Sequence, residues 1–240
     1  YCCATPPIHF WTTDNNEYLT LQTEGWISEG IPGYMLPAQP IPNAQAVPVF
    51  SVVSAGSNKR GPVAPGQVID IYGHDLAQAR VSIDGIPAKI LSVSGTVAQV
   101  VVPDGVAGRR RATVLVEHAD GRRETSAVGV EAANPSLFAT DRFGKGQAVA
   151  RLADGTMNSE QNAVAGGEEV VLYATGLGSG LPVSVTVGGH PAELLGVAKV
   201  DGRSELRIRV PAGLEPIAAA AVTVRSGEYA SQPGVTIFVK

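Results

Sequence analysis

Leu206-Arg207-Ile208-Arg209-Val210 alternates apolar and charged residues without a break, which is the pattern of a strand with one buried face. The run stops at Pro211, a residue that cannot donate to a ladder, and Ala212-Gly213 supplies the turn. An equivalent ending stands about a hundred residues earlier, where Val100-Val101-Val102 meets Pro103-Asp104-Gly105. Val81-Ser82-Ile83-Asp84 and Val183-Ser184-Val185-Thr186-Val187 alternate in the same way. The turns between such runs are written as Asp84-Gly85, Asp104-Gly105, Asp120-Gly121, Asp154-Gly155 and Asp201-Gly202. No helical period is sustained over a useful length, so the chain reads as all-β, with no helix longer than two turns.

The strand blocks recur in order. Ala64-Pro65-Gly66-Gln67-Val68-Ile69-Asp70-Ile71-Tyr72 corresponds to Ala165-Gly166-Gly167-Glu168-Glu169-Val170-Val171-Leu172-Tyr173. Val81-Ser82-Ile83-Asp84-Gly85-Ile86-Pro87-Ala88 corresponds to Val185-Thr186-Val187-Gly188-Gly189-His190-Pro191-Ala192. With the Val-Pro-x-Gly ending, that makes three blocks in one order. A spacing near a hundred residues marks duplicated sandwiches and not a solenoid of short units. The expected division is an extended tail over 1–47, one immunoglobulin-like sandwich over 48–133 and a second over 134–240, each of at least six strands.

Composition narrows the function classes. The net charge of −4 conceals a gradient: no Lys or Arg precedes Lys59, whereas Asp14, Glu17, Glu24 and Glu29 all do. Arg109, Arg110, Arg111, Arg122 and Arg123 are the one basic group, and it is too small for a nucleic-acid footprint. It reads as a solvated rim, or as the place that receives an acidic tail. No run of residues is long and apolar enough for a membrane helix. Seven of the thirteen aromatics fall within the first 50 residues, with both tryptophans and seven of the seventeen prolines. That tail is stiff and apolar, and Tyr18–Thr23 reads as a short strand within it.

The repeated blocks resemble the IPT/TIG branch of immunoglobulin-like domains. More narrowly, residues 48–240 resemble a Solibacter-type C-terminal family of secreted bacterial proteins. The matching segments are Val63-Ala64-Pro65-Gly66, Asn134-Pro135-Ser136-Leu137-Phe138, Asp154-Gly155-Thr156-Met157-Asn158-Ser159 and Leu172-Tyr173-Ala174-Thr175-Gly176-Leu177-Gly178. The loop from Gly178 to Pro182 is shorter than such relatives carry. The resemblance implies a tandem sandwich fold and export to the cell surface or beyond, and it transfers no activity. A chain opening on Tyr1 fits processing after export, and it fits trimming equally.

Catalytic chemistry finds little support. His9, His74, His118 and His190 share no metal-ligand spacing, and no nucleophile elbow or phosphate loop is present. His74 and His118 each lie near a turn aspartate and are expected at the surface. Asp141, Asp154 and Glu160 are the carboxylates that could ligate calcium near the domain junction, but they lack EF-hand spacing. Enzymatic activity, cofactor and metal are therefore all expected to be absent.

Two readings remain. In the first the chain is an extracellular structural subunit whose tail, through Phe10, Trp11, Tyr18, Leu19, Leu21 and Trp26, docks head-to-tail on another copy. Cys2 and Cys3 would then form disulfides with a neighbouring chain, or stay free thiols; adjacent cysteines are too close for an easy bond to each other. A tail folded back on its own domains is the alternative course. In the second reading the sandwiches bind carbohydrate or another surface. Tyr72 and Tyr173 occupy equivalent strand positions and are expected to be buried, which leaves few aromatic platforms on the sandwiches and places assembly first.

Overall fold

Each alternating run is a strand. The computed structural model describes residues 50–141 and 143–240. The first sandwich contains β1 (Ser51–Ser54), β2 (Val68–Tyr72), β3 (Arg80–Ile83), β4 (Ile86–Pro87), β5 (Lys89–Val93), β6 (Val97–Val101), β7 (Arg111–Glu117) and β8 (Arg123–Gly129). A single 3-10 turn, Asp104–Val106, is the one helical element among the described residues. Sheet β1-β2-β6-β5 faces sheet β4-β3-β7-β8 across Ile69, Ile71, Ile83, Val100, Val114 and Val116, all buried.

The second sandwich contains β9 (Ser136–Leu137), β10 (Gly146–Gln147), β11 (Ala150–Leu152), β12 (Glu169–Thr175), β13 (Val183–Val187), β14 (His190–Val200), β15 (Arg203–Arg209), β16 (Ile217–Ser226), β17 (Tyr229–Ala230) and β18 (Val235–Val239). Its two sheets share β14, which pairs with β13 along His190–Ala192 and with β15 along Glu193–Val200. Leu172, Leu206, Ile208, Val187, Val224 and Ile237 form the core between them. The all-β fold of two tandem sandwiches is as the alternation and the turn residues predict.

The duplication extends to single hydrogen bonds. Gly66 N donates to Val102 O and Gly167 N to Val210 O, both at 2.9 Å. Ala64 N donates to the Gln67 side chain, and Ala165 N to the Glu168 side chain. Both copies shift register in the strand after the Pro-Ala step, between Ile90 and Ser92 in β5 and between Leu194 and Gly196 in β14. Only the first copy breaks that stretch into two strands, β4 and β5.

A buried polar seam joins the sandwiches within the compact unit Ala46–Lys240. The Thr175 hydroxyl accepts from Val68 N at 2.7 Å and donates to Gly202 O at 2.8 Å. Ser54 and Ser136 share a hydrogen bond of 2.6 Å, and both are buried. Gln232 Nε2 donates to Leu137 O at 2.7 Å, Gly144 O at 3.1 Å and Gly56 O at 3.3 Å, while its Oε1 accepts from Leu137 N. Buried polar groups with full sets of partners rigidify an interface, because breaking any one strands its partner away from water.

Gly176 is obligatory in this seam. It sits at φ +74°, and a Cβ there would lie 2.1 Å from Asn134 O. His118, expected at the surface, is buried instead. It continues the inward alternation of Ala112, Val114 and Val116 beyond β7, and the turn aspartate does not draw it outward. Its Nδ1 lies 3.1 Å from Asp75 O, and Nε2 lies 3.3 Å from Glu124 Oε1 without hydrogen-bond alignment.

Replacing Gly176 by Ala should cost about 3 kcal/mol or more in urea denaturation, the upper end of ordinary point substitutions. Gly121, at φ +85° with open space around its Cβ position, should lose only about 1–2 kcal/mol on the same change, the cost of the backbone conformation alone.

Candidate functional site

On sheet β1-β2-β6-β5 the outward side chains Val53, Asp70, Gln99 and Ser92 lie in one row, directly opposite each other in register. Four strands make that row about 14 Å wide. Ala139, Asp141, Phe143 and Gly144 stand as a wall against the β1–β2 side of this face. Between them is a cleft of about 670 Å³, lined by Ser51, Val53, Asp70, Tyr72, Asp141 and Phe143 among others.

Two aromatic rings mark its mouth. Phe143 is 73% exposed and Tyr72 39% exposed. Expectation and structure differ on Tyr72. It is the outward member of the β2 alternation, in which Ile69 and Ile71 take the core. Tyr173 is half-buried for the same reason, facing out between Leu172 and Ala174. Strand alternation decides both positions; aromatic character does not.

The loop carrying Phe143 is held from three sides. Asp141 Oδ1 accepts from Phe143 N at 3.1 Å and from Lys145 N at 2.7 Å. Gly144 packs so tightly on Ser57 that a Cβ would lie 2.5 Å from Ser57 Cα, and its carbonyl accepts from Gln232. An apolar ring presented to solvent on a fixed loop is the feature of this surface that packing does not explain.

A polar relay runs from Asp70 of the cleft across β6 to the tip of the β14–β15 hairpin. Gln99 Nε2 donates to Asp70 Oδ1 at 2.9 Å, and Arg203 Nη2 donates to Gln99 Oε1 at 3.0 Å. The Arg203 guanidinium lies over the Phe138 ring, 5.5 Å from its centroid. Burial pushes the Asp70 carboxyl above its ordinary value of 3.8, and the Gln99 hydrogen bond and the Arg203 charge pull partly back. Lys89 and Asp201 form an ion pair at the far end.

The five arginines read as one basic group are split by the β7–β8 hairpin. Arg111 pairs with Gly129 at one end, and Arg123 pairs with Glu117 at the other. Arg109 is bound to Asp84, whose carboxyl is held below the ordinary range chiefly by the hydrogen bond from Thr113 N. Arg122 bridges Asp120, Asp75 and Glu124, and Arg123 forms an ion pair with Glu117. Arg110 and Arg111 make no ion pair among the described residues. Phe10, Trp11, Tyr18, Leu19, Leu21, Trp26, Cys2 and Cys3 lie outside the described residues. Asp141 and Asp154 cap their own turns, and no cluster of three metal-ligating side chains occurs among the described residues. Nor is any described helix long and apolar enough to cross a membrane.

Residues 48–127 match the family model for the IPT/TIG domain. That span takes in β1 to β7 and most of β8, and therefore the floor of the cleft. No curated protein matches the chain. Among solved structures, the chain is similar to the Bacteroides ovatus mixed-linkage glucan utilization locus protein SGBP-B in complex with a mixed-linkage heptasaccharide. The identity is 16% and the TM-score 0.38, over 74% of this chain and 43% of that one. A Prevotella bryantii surface glycan-binding protein aligns at 12% identity and TM-score 0.29, covering 76% and 39% of the two chains. The tandem immunoglobulin repeats of Dlar align at 11% identity and TM-score 0.24, covering 80% and 98%. The chain thus spans less than half the length of the first two.

Asp70 gives a test of the cleft's electrostatics. A carboxyl with a raised folded-state value contributes its stability below the unfolded value and loses it as pH rises through the folded one. Asp70→Asn keeps an acceptor for Gln99 and removes that loss. The variant should therefore melt like the parent near pH 3 and gain on it progressively above about pH 4, where an unfolded carboxylate is ionised. A difference independent of pH would show that Asp70 carries no such penalty.

Proposed function

We propose that this chain is an extracellular, non-catalytic binding module of two immunoglobulin-like domains, 48–133 and 134–240, and that its cleft grips a carbohydrate chain. The exposed pair Tyr72 and Phe143 carries this reading. Sugars present apolar C–H faces that stack on such rings, and their hydroxyls bond to carboxylate groups such as Asp70 and Asp141. The expectation that put assembly first had the tyrosines buried, and the outward-facing Tyr72, 39% exposed, supports placing carbohydrate ahead of it. In this reading the chain acts outside the cell or at its surface, where its resemblance over 48–240 to a Solibacter-type family of secreted proteins would also place it. Affinity electrophoresis in gels containing β-glucan, xylan or polygalacturonate tests it. Phe143→Ala should weaken retardation about tenfold, the equivalent of roughly 1.4 kcal/mol, with an unchanged melting temperature. A chain that migrates freely in every gel is not a glycan binder.

A second reading, self-assembly, is favoured by the edge strand β5. Among the described residues it pairs with β6 alone, and it exposes Ile90 and Val93. In this reading Tyr18–Thr23 of the 1–47 tail adds to such an edge on another copy, with Phe10, Trp11 and Trp26 in adjoining pockets. Arg110 and Arg111 meet acidic tail residues, and Cys2 and Cys3 lock the junction under oxidising conditions. Deleting residues 1–46 should then convert assemblies to folded two-domain monomers in analytical ultracentrifugation. Full-length chain that sediments as a monomer at high concentration removes the reading.

A further inference from the structure

The duplication copied more than the fold. In the first sandwich the cleft takes its floor residues Val53 and Asp70 from the outward row Val53–Asp70–Gln99–Ser92. The repeat maps each of these positions onto the second sandwich. Asp70 falls two residues before Tyr72 and Val171 two before Tyr173. Gln99 and Arg207 each stand four residues before the strand-ending Pro. Ser92 and Gly196 each follow the register shift of their strand. The equivalent row is Arg151–Val171–Arg207–Gly196, again in direct register across β11, β12, β15 and β14. A second concavity, of about 500 Å³, opens over this row. Its apolar base includes Val171 and Ala198, and Gly196 leaves its end open for want of a side chain.

The chemistry of the copy is inverted. Where the first row offers the Asp70 carboxylate, the second offers two guanidiniums on either side of Val171. Arg151 Nε donates to the Tyr173 hydroxyl at 3.1 Å, and Arg207 makes no ion pair among the described residues. The other arginines of β15 are occupied: Arg209 by Glu169 and Glu193, Arg203 by Gln99 and the Phe138 ring. The acidic groups facing this concavity are Glu169, already bound to Arg209, and Glu205, which lies opposite Tyr173 in register and contributes to the field at Arg151. Guanidinium forks match carboxylates in shape and charge, and they hold their own charge at any accessible pH.

We infer that the outer face of β11-β12-β15-β14 is a second sugar site, related to the cleft by the internal duplication and selective for a carboxylate-bearing sugar, held by Arg151 and Arg207 with the Tyr173 ring beside it. This inference rests on the carbohydrate reading of the cleft. Its test is calorimetry with two probes, a β-glucan hexasaccharide and an oligogalacturonate of the same length, on the full chain and two variants. The intact chain should bind the oligogalacturonate. Arg151→Ala/Arg207→Ala should weaken that binding at least tenfold while leaving the β-glucan titration unchanged, whereas Phe143→Ala should do the reverse. Raising salt should weaken only the oligogalacturonate. Arg151→Lys/Arg207→Lys keeps the charge without the fork and should recover only a fraction of the loss, which separates recognition from a general effect on folding. Binding of oligogalacturonate that the double alanine variant retains in full overturns the second site. So does a chain that takes β-glucan and ignores oligogalacturonate. If neither probe binds and no polysaccharide retards the chain, the carbohydrate reading itself falls, a different result from either.

Discussion

The Thr175 hydroxyl is the point on which the two-sandwich arrangement turns. It is fully buried, and it spends its acceptor capacity on a backbone amide of the first sandwich and its proton on the hairpin tip of its own. Gly176 and Gly178 follow it at positive φ and let the linker backbone approach to distances no side chain would allow. The hairpin tip is thereby set on the outer face of the first sandwich, and Arg203 is brought to Gln99. Remove that hydroxyl and Val68 N is left buried without a partner, a loss larger than the average worth of one hydrogen bond. The cleft exists because this seam fixes the angle between a sheet face and a neighbouring wall.

Binding at such a cleft draws on preorganisation. Gln232 grips Gly56, Leu137 and Gly144 together, so the turn after β1 and the loop bearing Phe143 are tied to one side chain. A ligand entering here orders little that is not already ordered, which keeps the entropic cost of binding low. The exposed ring is therefore informative: a mobile Phe on a loose loop would be a surface accident, whereas this one is held by hydrogen bonds on both flanks.

The fold was legible because alternation is a local property. Leu206 to Val210 needs only its own side chains to declare a half-buried strand, and Pro211 to declare its end. The seam was less so. The run Tyr-Ala-Thr-Gly-Leu-Gly stood out in the sequence, yet nothing local says that Thr175 meets Val68, which is 107 residues away. Tyr72 and His118 were misplaced for opposite reasons that share one cause. A place equivalent to Tyr173 on a core strand suggested burial for the first, and a neighbouring turn aspartate suggested exposure for the second. In both, the period-two count was the better guide, and following it through would have placed Tyr72 outside and His118 inside. Phe143 had no such signal, because its exposure depends on how two domains meet. The five arginines looked like one group because sequence proximity hides the length of a hairpin.

The strand order also bears on force. In the first sandwich Val63 bridges Val130 in parallel, near its beginning and its end. In the second, Gly146 and Gln147 run parallel to Val235 and Thr236, and Val164 bridges Val239 in the same sense. Tension applied along the chain therefore pulls early and late segments past each other, and it loads their hydrogen bonds side by side. Such bonds must fail together, where those of an antiparallel hairpin pulled open at one end would give way in succession. In both sandwiches, then, pulling the chain ends apart puts the parallel bridges under shear.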